Sequence, residues 1–222
     1  MFRLTVLYDN EACPGFTGSW GFSALIETGT ETLLFDTGWD GTLLLKHMEK
    51  TGIDPACVSK LILSHQHWDH IGGLPEILCA NPGITVYAPV SFSENLKREI
   101  KKRTALIEVK EAVEISEGIW STGELGDKIK EQSLVLNTGK ASYVLTGCAH
   151  PGIDAIMDAA LFHGKIKGII GGLHDSDRFE RLEEMELIAA GHCTAHKSKL
   201  KELFPAEYME TRAGLSLELT RY

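Results

Sequence analysis

The sequence predicts a layered α/β fold in which two β-sheets pack face to face with helices outside them. The first observation is the order of the elements, because a group of strands and helices is followed by a second group of strands and helices. The second is that 222 residues with 43% hydrophobic content can bury a core without disulfide bonds. The chain shows no repeat, low-complexity segment or linker, and we therefore expect residues 1–222 to form a single domain.

In the first half of the chain, short apolar runs between turn residues predict strands. These strands are Phe2–Tyr8, Phe22–Glu27, Thr32–Phe35, Val58–Leu63 and Ile84–Ala88. The Gly/Thr turn Thr28–Thr30 joins the second and third as a hairpin. Helical spacing predicts helices at Leu43–Met48, ending near Gly52, and at Gly73–Leu78 and Ser93–Lys102.

In the second half, four predicted strands come before an alternation of helices and strands. The four strands are Ala105–Val109, Ala112–Ile115, Ser133–Leu136 and Tyr143–Leu145. The alternating elements are a helix at Asp154–Phe162, a strand at Ile166–Ile170, helices at Asp177–Ile188 and Lys197–Phe204, and a strand at Leu215–Leu219.

Charge and cysteine content exclude several classes of protein. The net charge of −9 disfavours a nuclease or another nucleic-acid partner, because phosphate binding usually requires a basic surface. The five cysteines are widely spaced and odd in number, which is typical of a reducing compartment. The beginning of the chain has no secretory signal pattern, and no stretch approaches 18 apolar residues. We therefore expect a cytoplasmic protein without a membrane segment.

The segment His65-Gln66-His67-Trp68-Asp69-His70 carries most of the functional information. It follows a buried strand, and residues two apart on an extended strand project to the same side, so His65 and His67 would point together. A following turn can bring Asp69 and His70 towards a second position. Imidazole and carboxylate groups suit Zn, Fe or Mn. The alternative is a polar surface loop that has collected histidines, but four potential ligands in this order after a buried strand favour a metal site.

This segment resembles the H-x-H-x-D-H signature of the metallo-β-lactamase superfamily. Similar strand-end blocks occur at Leu33–Gly38, Leu145–His150, Gly171–His174 and Gly191–Thr194. The later blocks, together with Leu7–Asn10 and Gly21–Ser23, are similar to one branch of that superfamily. Its members are described as metal-dependent hydrolases, some as a methanopterin-pathway dihydropterin–ribofuranosylaminobenzene phosphate synthase.

The resemblance implies a four-layer αββα sandwich with a metal site at one edge. It implies that His65, His67 and His150 hold one ion, and that Asp69, His70 and His192 hold the other. Asp36 would orient the metal-binding loop without binding metal itself. The implied cofactor is zinc, as one or two ions, with iron or manganese as alternatives.

Several residues near these blocks have open roles. Cys148 occupies the position of a bridging Asp in many relatives, and it is either a thiolate ligand or a small buried residue that places His150. His174 is either a ligand or a substrate-binding residue, and Asp9 and Asn10 are candidates for lining the cleft. Trp68 either lines the cleft or packs as an anchor for its loop. The remaining histidines, His47, His163 and His196, are expected to be solvent-exposed residues outside the site.

The sequence therefore predicts a metal-dependent hydrolase in which Asp69 binds metal and helps to orient a metal-activated hydroxide. The expected substrate is a small-molecule ester, with a phosphoester or phosphodiester preferred by analogy. An iron-dependent oxidoreductase on the same fold and a non-catalytic metal-binding module are the alternatives. Gln66 disfavours the oxidoreductase, because redox di-iron relatives usually carry Glu there. The substrate and the oligomeric state do not follow from the sequence.

Overall fold

The computed structural model describes residues 2–219, which form two seven-stranded sheets. The strands of the first sheet are β1 (Phe2–Tyr8), β2 (Ser23–Glu27), β3 (Thr32–Phe35), β4 (Val58–Ile62), β5 (Thr85–Pro89), β6 (Ala105–Val109) and β14 (Ser216–Leu219). Those of the second are β7 (Val113–Ser116), β8 (Ile119–Ser121), β9 (Leu134–Asn137), β10 (Ser142–Thr146), β11 (Ile166–Gly172), β12 (Leu187–Gly191) and β13 (Tyr208–Glu210).

Each sheet has antiparallel pairs on one side and parallel pairs on the other. The first has the order β14-β1-β2-β3-β4-β5-β6, with parallel pairing from β3 to β6. The second has the order β13-β12-β11-β10-β9-β8-β7, with parallel pairing from β10 to β13. Because β1 and β3 are both antiparallel to β2, they run in the same direction. The carboxyl ends of β1, β3 and β4 therefore lie at one edge of the first sheet.

Six α-helices are found among residues 2–219. They are α1 (Gly41–Lys50), α2 (Trp68–Ile71), α3 (Leu74–Ala80), α4 (Glu94–Lys101), α5 (Ile153–Ala160) and α6 (Lys197–Leu203). A central apolar cluster joins the two sheets, with Leu33 and Phe35 from the first and Leu136 and Ile170 from the second. Two further clusters pack helices on the outer faces, α1, α3 and α4 on the first sheet and α5 and α6 on the second. The αββα sandwich expected from the resemblance is confirmed.

The sequence prediction was wrong where a helix was expected at Asp177–Ile188. That segment contains only a 3₁₀ turn at Phe179–Leu182, and the chain then enters β12 at Leu187. The charged residues before Leu187 have helical spacing, but pairing with β11 places Leu187 opposite Gly168. The short strands β8 and β13 and the single-turn helix α2 were also missed, because segments of three or four residues carry little periodicity.

His47, which was expected to be exposed, is 1% exposed. Its Nδ1 lies 2.7 Å from the carbonyl oxygen of Leu7, and its Nε2 accepts a hydrogen bond from the backbone N–H of Thr17. It therefore ties α1 to the end of β1 and to the loop that follows. Within residues 2–219, no helix is long and apolar enough to cross a membrane.

A pair of leucines tests the location of the core. Leu33 is fully buried between the sheets, whereas Leu203 at the end of α6 is 43% exposed. We expect Leu33→Ala to lower the free energy of unfolding by about 2–5 kcal/mol, because it leaves a cavity in a close-packed interface. We expect Leu203→Ala to cost less than about 1 kcal/mol. Urea denaturation of the two variants measures this, and equal losses would contradict the assignment of the core.

Candidate metal centre

The candidate site lies where strand ends of both sheets converge. Asp9 follows β1, Asp36 follows β3, and residues 64–70 follow β4 in the first sheet. Cys148 and His150 follow β10, His174 follows β11, and His192 follows β12 in the second. Carboxyl ends of parallel strands meet at one edge of a sheet, so the sandwich places these residues, distant in sequence, around one cleft.

The loop after β4 brings three of the predicted histidines together. His65 is buried in this loop, His67 is the N-cap residue of α2, and His70 is buried within α2. The distance from His65 Nε2 to His67 Nδ1 is 3.0 Å, and the His65 and His70 rings are 4.2 Å apart. The expectation that His65 and His67 point together agrees with this geometry. The side chain of Trp68, which was expected to line the cleft or pack as an anchor, is 70% exposed.

The second sheet completes the cluster with Cys148, His150 and His192. Potential ligand atoms of His65, Cys148 and His150 lie within 4.8 Å of one another, and so do those of His70, Cys148 and His192. The thiol of Cys148 is thus common to both groups. His70 Nε2 is 3.1 Å from Cys148 Sγ and 3.1 Å from His192 Nε2.

The remaining two motif residues lie beside these groups. The ring of His67 is 4.9 Å from that of His150, next to the first group. Asp69 Oδ2 is 3.3 Å from His192 Nε2 and 3.8 Å from His70 Nε2, next to the second. The structure therefore brings all six predicted ligands into one cluster, with Cys148 between its halves.

Asp36 has a left-handed φ of 56° and a fully buried carboxylate that positions the motif. Its Oδ1 accepts a hydrogen bond from the backbone N–H of Ser64, and its Oδ2 accepts one from the Ser64 hydroxyl at 2.6 Å. Oδ2 also lies 2.7 Å from His70 Nδ1. Asp36 thus contacts His70 on the side of the ring away from the cluster and belongs to neither three-residue group, which is the geometry expected for an orienting residue.

These contacts determine which ring nitrogens face the cleft. A carboxylate can only accept, so His70 Nδ1 donates to Asp36, and in the neutral ring the lone pair of Nε2 faces the cluster. The Ser64 hydroxyl donates its one proton to Asp36 and therefore accepts from His65 Nδ1, which lies 2.9 Å away. His65 Nε2 is then also unprotonated. Partners of this kind orient metal-binding imidazoles in proteins.

Asp9 and Asn10 hold His192 from the other side. Asn10 Oδ1 lies 3.2 Å from His192 Nδ1, and the Asn10 amide donates to the carbonyl oxygen of His192. Asp9 is fully buried and accepts hydrogen bonds from Thr211 Oγ1 at 2.7 Å and from the backbone N–H of His192 at 3.4 Å. Both residues therefore position His192, whereas the sequence suggested only that they line the cleft.

Sequence analysis did not identify Glu131, which lies before β9 and is fully buried. Its Oε1 accepts hydrogen bonds from the backbone N–H groups of Gly147, Cys148 and Ala149, and its Oε2 accepts one from His150. Glu131 thus fixes the loop that carries Cys148 and His150. A single Glu between two polar residues gives no sequence signal for this role, because it depends on a contact across the fold.

Burial and mutual repulsion keep most of the clustered histidines neutral. Burial, followed by the charges of His70 and His150, lowers the pKa of His65 well below its usual value. Burial and the neighbouring His67 and His174 lower the pKa of His150 to about 4. Burial also lowers the pKa of His67 and of His192. Neutral imidazole is the form that binds a metal ion.

Asp69 and His70 differ from these histidines, because the pKa of each is shifted in the direction that favours its charged form. Burial opposes ionisation of Asp69, but its hydrogen bond with His192 and the charge of His70 lower its pKa to about 2. Burial likewise disfavours the charged form of His70, but the charge of Asp36 and the hydrogen bond to it raise the pKa of His70. Asp69 is therefore ionised at neutral pH.

His174 lies at the rim of the cluster. Its ring is 4.9 Å from that of His150, and its Nδ1 lies 2.9 Å from the carboxylate of the neighbouring Asp175. It is absent from both three-residue groups and lines a cavity of about 490 Å³ with His150 and Arg178. Of its two predicted roles, this location favours contact with substrate.

Backbone strain is concentrated at the site. Among residues 2–219, four residues other than glycine have positive φ, and all four follow strands that end at the cleft: Asp36, Ala149, His174 and His192. Such a conformation costs about 1–2 kcal/mol for a residue with a Cβ. Strain of this size is retained where the surrounding contacts fix a side chain for function.

His163 and His196 lie outside the cluster, as expected. His163 packs its ring 4.8 Å from Trp120, and His196 is exposed at the N-cap of α6. Trp20, which sequence analysis did not single out, packs 5.2 Å from the ring of His192 and is 55% exposed.

Comparison with known proteins agrees with this geometry. Residues 20–188 match the family model described as the metallo-beta-lactamase superfamily, and the chain belongs to that superfamily. This superfamily consists mostly of metal-dependent hydrolases, and its fold implies binding of divalent metal.

Three individual proteins illustrate the relationship. The chain is 27% identical to 7,8-dihydropterin-6-methyl-4-(beta-D-ribofuranosyl)-aminobenzene-5'-phosphate synthase of Methanocaldococcus jannaschii over 90% of each chain, which confirms the predicted branch resemblance. It is 25% identical to ribonuclease Z of Bacillus mycoides over 74% of its own length and 52% of the relative's. The solved structure of Tm1679, described as a metal-dependent hydrolase of the beta-lactamase superfamily, has 27% identity and a TM-score of 0.79, with 100% of both chains covered.

The buried carboxyl of Asp9 gives a prediction on pH dependence. Burial raises the pKa of Asp9 to about 6, against the hydrogen bond from Thr211. The folded protein therefore holds this proton more tightly than the unfolded chain, so protonated Asp9 stabilises the fold at acidic pH and this contribution is lost as the pH rises through about 6. Relative to Asp9→Asn, we expect wild-type protein to lose about 2 kcal/mol of stability between about pH 4.5 and 7.5.

Urea denaturation of the two metal-free proteins at a series of pH values gives this difference directly. Asp158→Asn serves as a control, because Asp158 is an exposed carboxylate on α5. A pH-independent difference between wild type and Asp9→Asn would contradict the assignment.

Proposed function

We propose that this chain is a hydrolase that holds two divalent metal ions side by side and shares the Cys148 thiolate between them. The observation that carries this proposal is that one thiol belongs to both three-residue ligand groups. His65, His67, His150 and Cys148 would hold the first ion. Asp69, His70, His192 and Cys148 would hold the second.

The residues of the cluster fit metal ions by their chemistry. His150 Nε2 is buried without a hydrogen-bond partner, although a buried polar atom normally has one. His65 Nε2 and His67 Nδ1 approach to 3.0 Å, and His70 Nε2 and His192 Nε2 approach to 3.1 Å. A ligand common to each pair of lone pairs would explain these approaches. A donor set of imidazole, thiolate and carboxylate suits zinc, and it also accommodates iron or manganese.

When bound, the two ions would lower the pKa of a water molecule and would place positive charge next to a substrate oxygen. The protein residues provide the geometry for this chemistry. Asp69 is ionised at neutral pH and can accept a hydrogen bond from the attacking water, which orients it. Asp36 and Asn10 fix His70 and His192 in place. Asp69 is thus the residue that we assign to catalysis as well as to metal binding.

We further propose that the substrate is a small-molecule phosphoester or phosphodiester. A cavity of about 490 Å³ lies next to His150, a volume suited to a small molecule. His174 and Arg178 line this cavity together with three aspartates. Arg178 is paired with Asp154 and Glu180, so it would bind a phosphate oxygen by exchanging one of these partners. Similarity to a ribonuclease and to an enzyme named for a 5'-phosphate product supports phosphate chemistry. The net charge of −9 favours a small molecule over a nucleic acid.

One further observation disfavours the oxidoreductase, and another concerns the compartment in which the protein acts. Gln66 accepts a hydrogen bond from the backbone N–H of Ser93 at 2.6 Å and is exposed, so it offers nothing to a redox centre in the cleft. All five cysteines are unpaired, which supports a reducing compartment, and we therefore place the reaction in the cytoplasm.

The proposal is tested by hydrolysis assays with the zinc-, manganese- and iron-loaded protein on a panel of phosphomonoesters, phosphodiesters, lactones and carboxylic esters. We expect the metal-loaded protein to hydrolyse phosphorus esters, and we expect a chelator to abolish this hydrolysis. Binding of metal without any hydrolysis would support the non-catalytic module instead. An iron-loaded protein with visible absorbance that consumes oxygen would support the oxidoreductase.

Substitution of histidines tests the ligand assignment. We expect His150→Ala and His192→Ala each to reduce the metal content from about two ions per chain to about one, because each removes a ligand of a different ion. His196→Ala should leave the content unchanged, since His196 is exposed outside the cluster. Elemental analysis after dialysis against zinc measures all three. Two retained ions in both cleft variants would contradict the assignment.

The role of Asp69 gives a second prediction for catalysis. Asp69→Asn keeps the shape of the side chain but removes its charge, so we expect kcat on the preferred substrate to fall at least about 100-fold. Asp158→Asn, with its side chain exposed on α5, is expected to retain wild-type kcat. Steady-state kinetics at equal metal content checks both. A loss of less than about threefold in Asp69→Asn would exclude Asp69 from the reaction.

A further inference from the structure

Two thiols from different strand ends meet behind the cluster. Cys148 follows β10 and Cys193 follows β12, so strand β11 lies between their parent strands. Cys193 Sγ nevertheless lies 3.8 Å from the carbonyl oxygen of Cys148, so the two residues are in contact. The two loops therefore bend towards each other across the end of β11.

Gly172 at the end of β11 makes this meeting possible. A Cβ at Gly172 would lie 2.5 Å from the carbonyl oxygen of Gly147, 2.6 Å from Cys193 Sγ and 3.2 Å from Cys148 Cα. The absence of a side chain there leaves the space that the backbone of the Cys148 loop and the Cys193 thiol occupy. Gly172 has an ordinary backbone conformation, so its identity is required by this close approach and not by its φ angle.

We propose that Cys148 and Cys193 are an oxidation site, at which a peroxide converts the two thiols into an intramolecular disulfide that withdraws Cys148 from metal binding. The disulfide itself is inferred from the contact of Cys193 Sγ with Cys148 and from the space beside Gly172. Its effect on metal rests on the proposed function, because it requires Cys148 to be the ligand shared by both ions.

The chemistry balances with one equivalent of peroxide. The Cys193 thiolate attacks the O–O bond of hydrogen peroxide, which gives a sulfenic acid and, after proton transfer, one water molecule. Cys148 then attacks the sulfenic sulfur and forms the S–S bond, while its thiol proton passes to the departing hydroxide and gives a second water. Cys193 is the point of entry, because it is only half-buried whereas Cys148 is 3% exposed.

The disulfide and the metal ions would exclude each other. A sulfur in an S–S bond is no longer a thiolate and does not bridge two cations. Oxidation would therefore lower the affinity for both ions, and bound metal would in turn hold Cys148 and slow the oxidation. A thiol reductant restores the dithiol, which makes the modification reversible.

The proposal is tested by treating the metal-free 222-residue protein with hydrogen peroxide and mapping its tryptic peptides. Trypsin releases residues 141–165 and residues 182–197, and each of these peptides contains a single cysteine. We expect them to be recovered as one disulfide-linked species that dithiothreitol separates. Cys193→Ser should abolish this species, whereas Cys57→Ser should leave it intact, since Cys57 is exposed away from the site. If residues 182–197 instead carry unlinked sulfinic acid, the disulfide is ruled out.

Metal content distinguishes failure of this inference from failure of the proposed function. The oxidised protein is expected to bind less than half of the zinc that the reduced protein binds, and the zinc-loaded protein should form the linked species at least several-fold more slowly. A linked species with unchanged zinc content would overturn the coupling to metal. If the reduced protein binds no zinc, the proposed function fails while the disulfide result stands independently.

Discussion

Two buried carboxylates hold the site together, one on each sheet. Asp36 follows β3 and accepts hydrogen bonds from Ser64 and His70, which fixes the loop after β4. Glu131 precedes β9 and accepts four backbone N–H bonds, which fixes the loop after β10. Each carboxylate organises a ligand loop without being a ligand. The packing of the sheets then sets the distance between the loops, so the geometry of the cluster depends on the core.

The site is crowded with imidazole rings whose centroids lie 4.2–4.9 Å apart. Several imidazoles lie in contact, and burial together with their mutual repulsion lowers the pKa values of His65 and His150. Three of the strand-end residues with left-handed φ, namely Asp36, His174 and His192, add backbone strain. A bound cation would relieve the repulsion, because it replaces lone pairs facing each other with bonds. Metal binding and folding stability are therefore expected to be coupled.

The sequence predicted those parts of the fold and site that have a local pattern. The apolar strands, most helices and the six clustered candidate ligands could be recognised from spacing or from resemblance. The segment Asp177–Ile188 was mistaken for a helix because pairing with β11, a long-range contact, overrides its helical spacing. Glu131 and Cys193 were missed for a similar reason. Their roles come from contacts with residues 17 and 45 positions away, which no local pattern records.

The central claim is that two ions share the thiolate of Cys148. A crystal structure of the zinc-loaded protein, with anomalous diffraction data collected at the zinc edge, tests it most directly. The account predicts two anomalous peaks about 3.5–4 Å apart, each about 2.3 Å from Cys148 Sγ. A single peak, or two peaks with Cys148 Sγ beyond bonding distance of either, would contradict it.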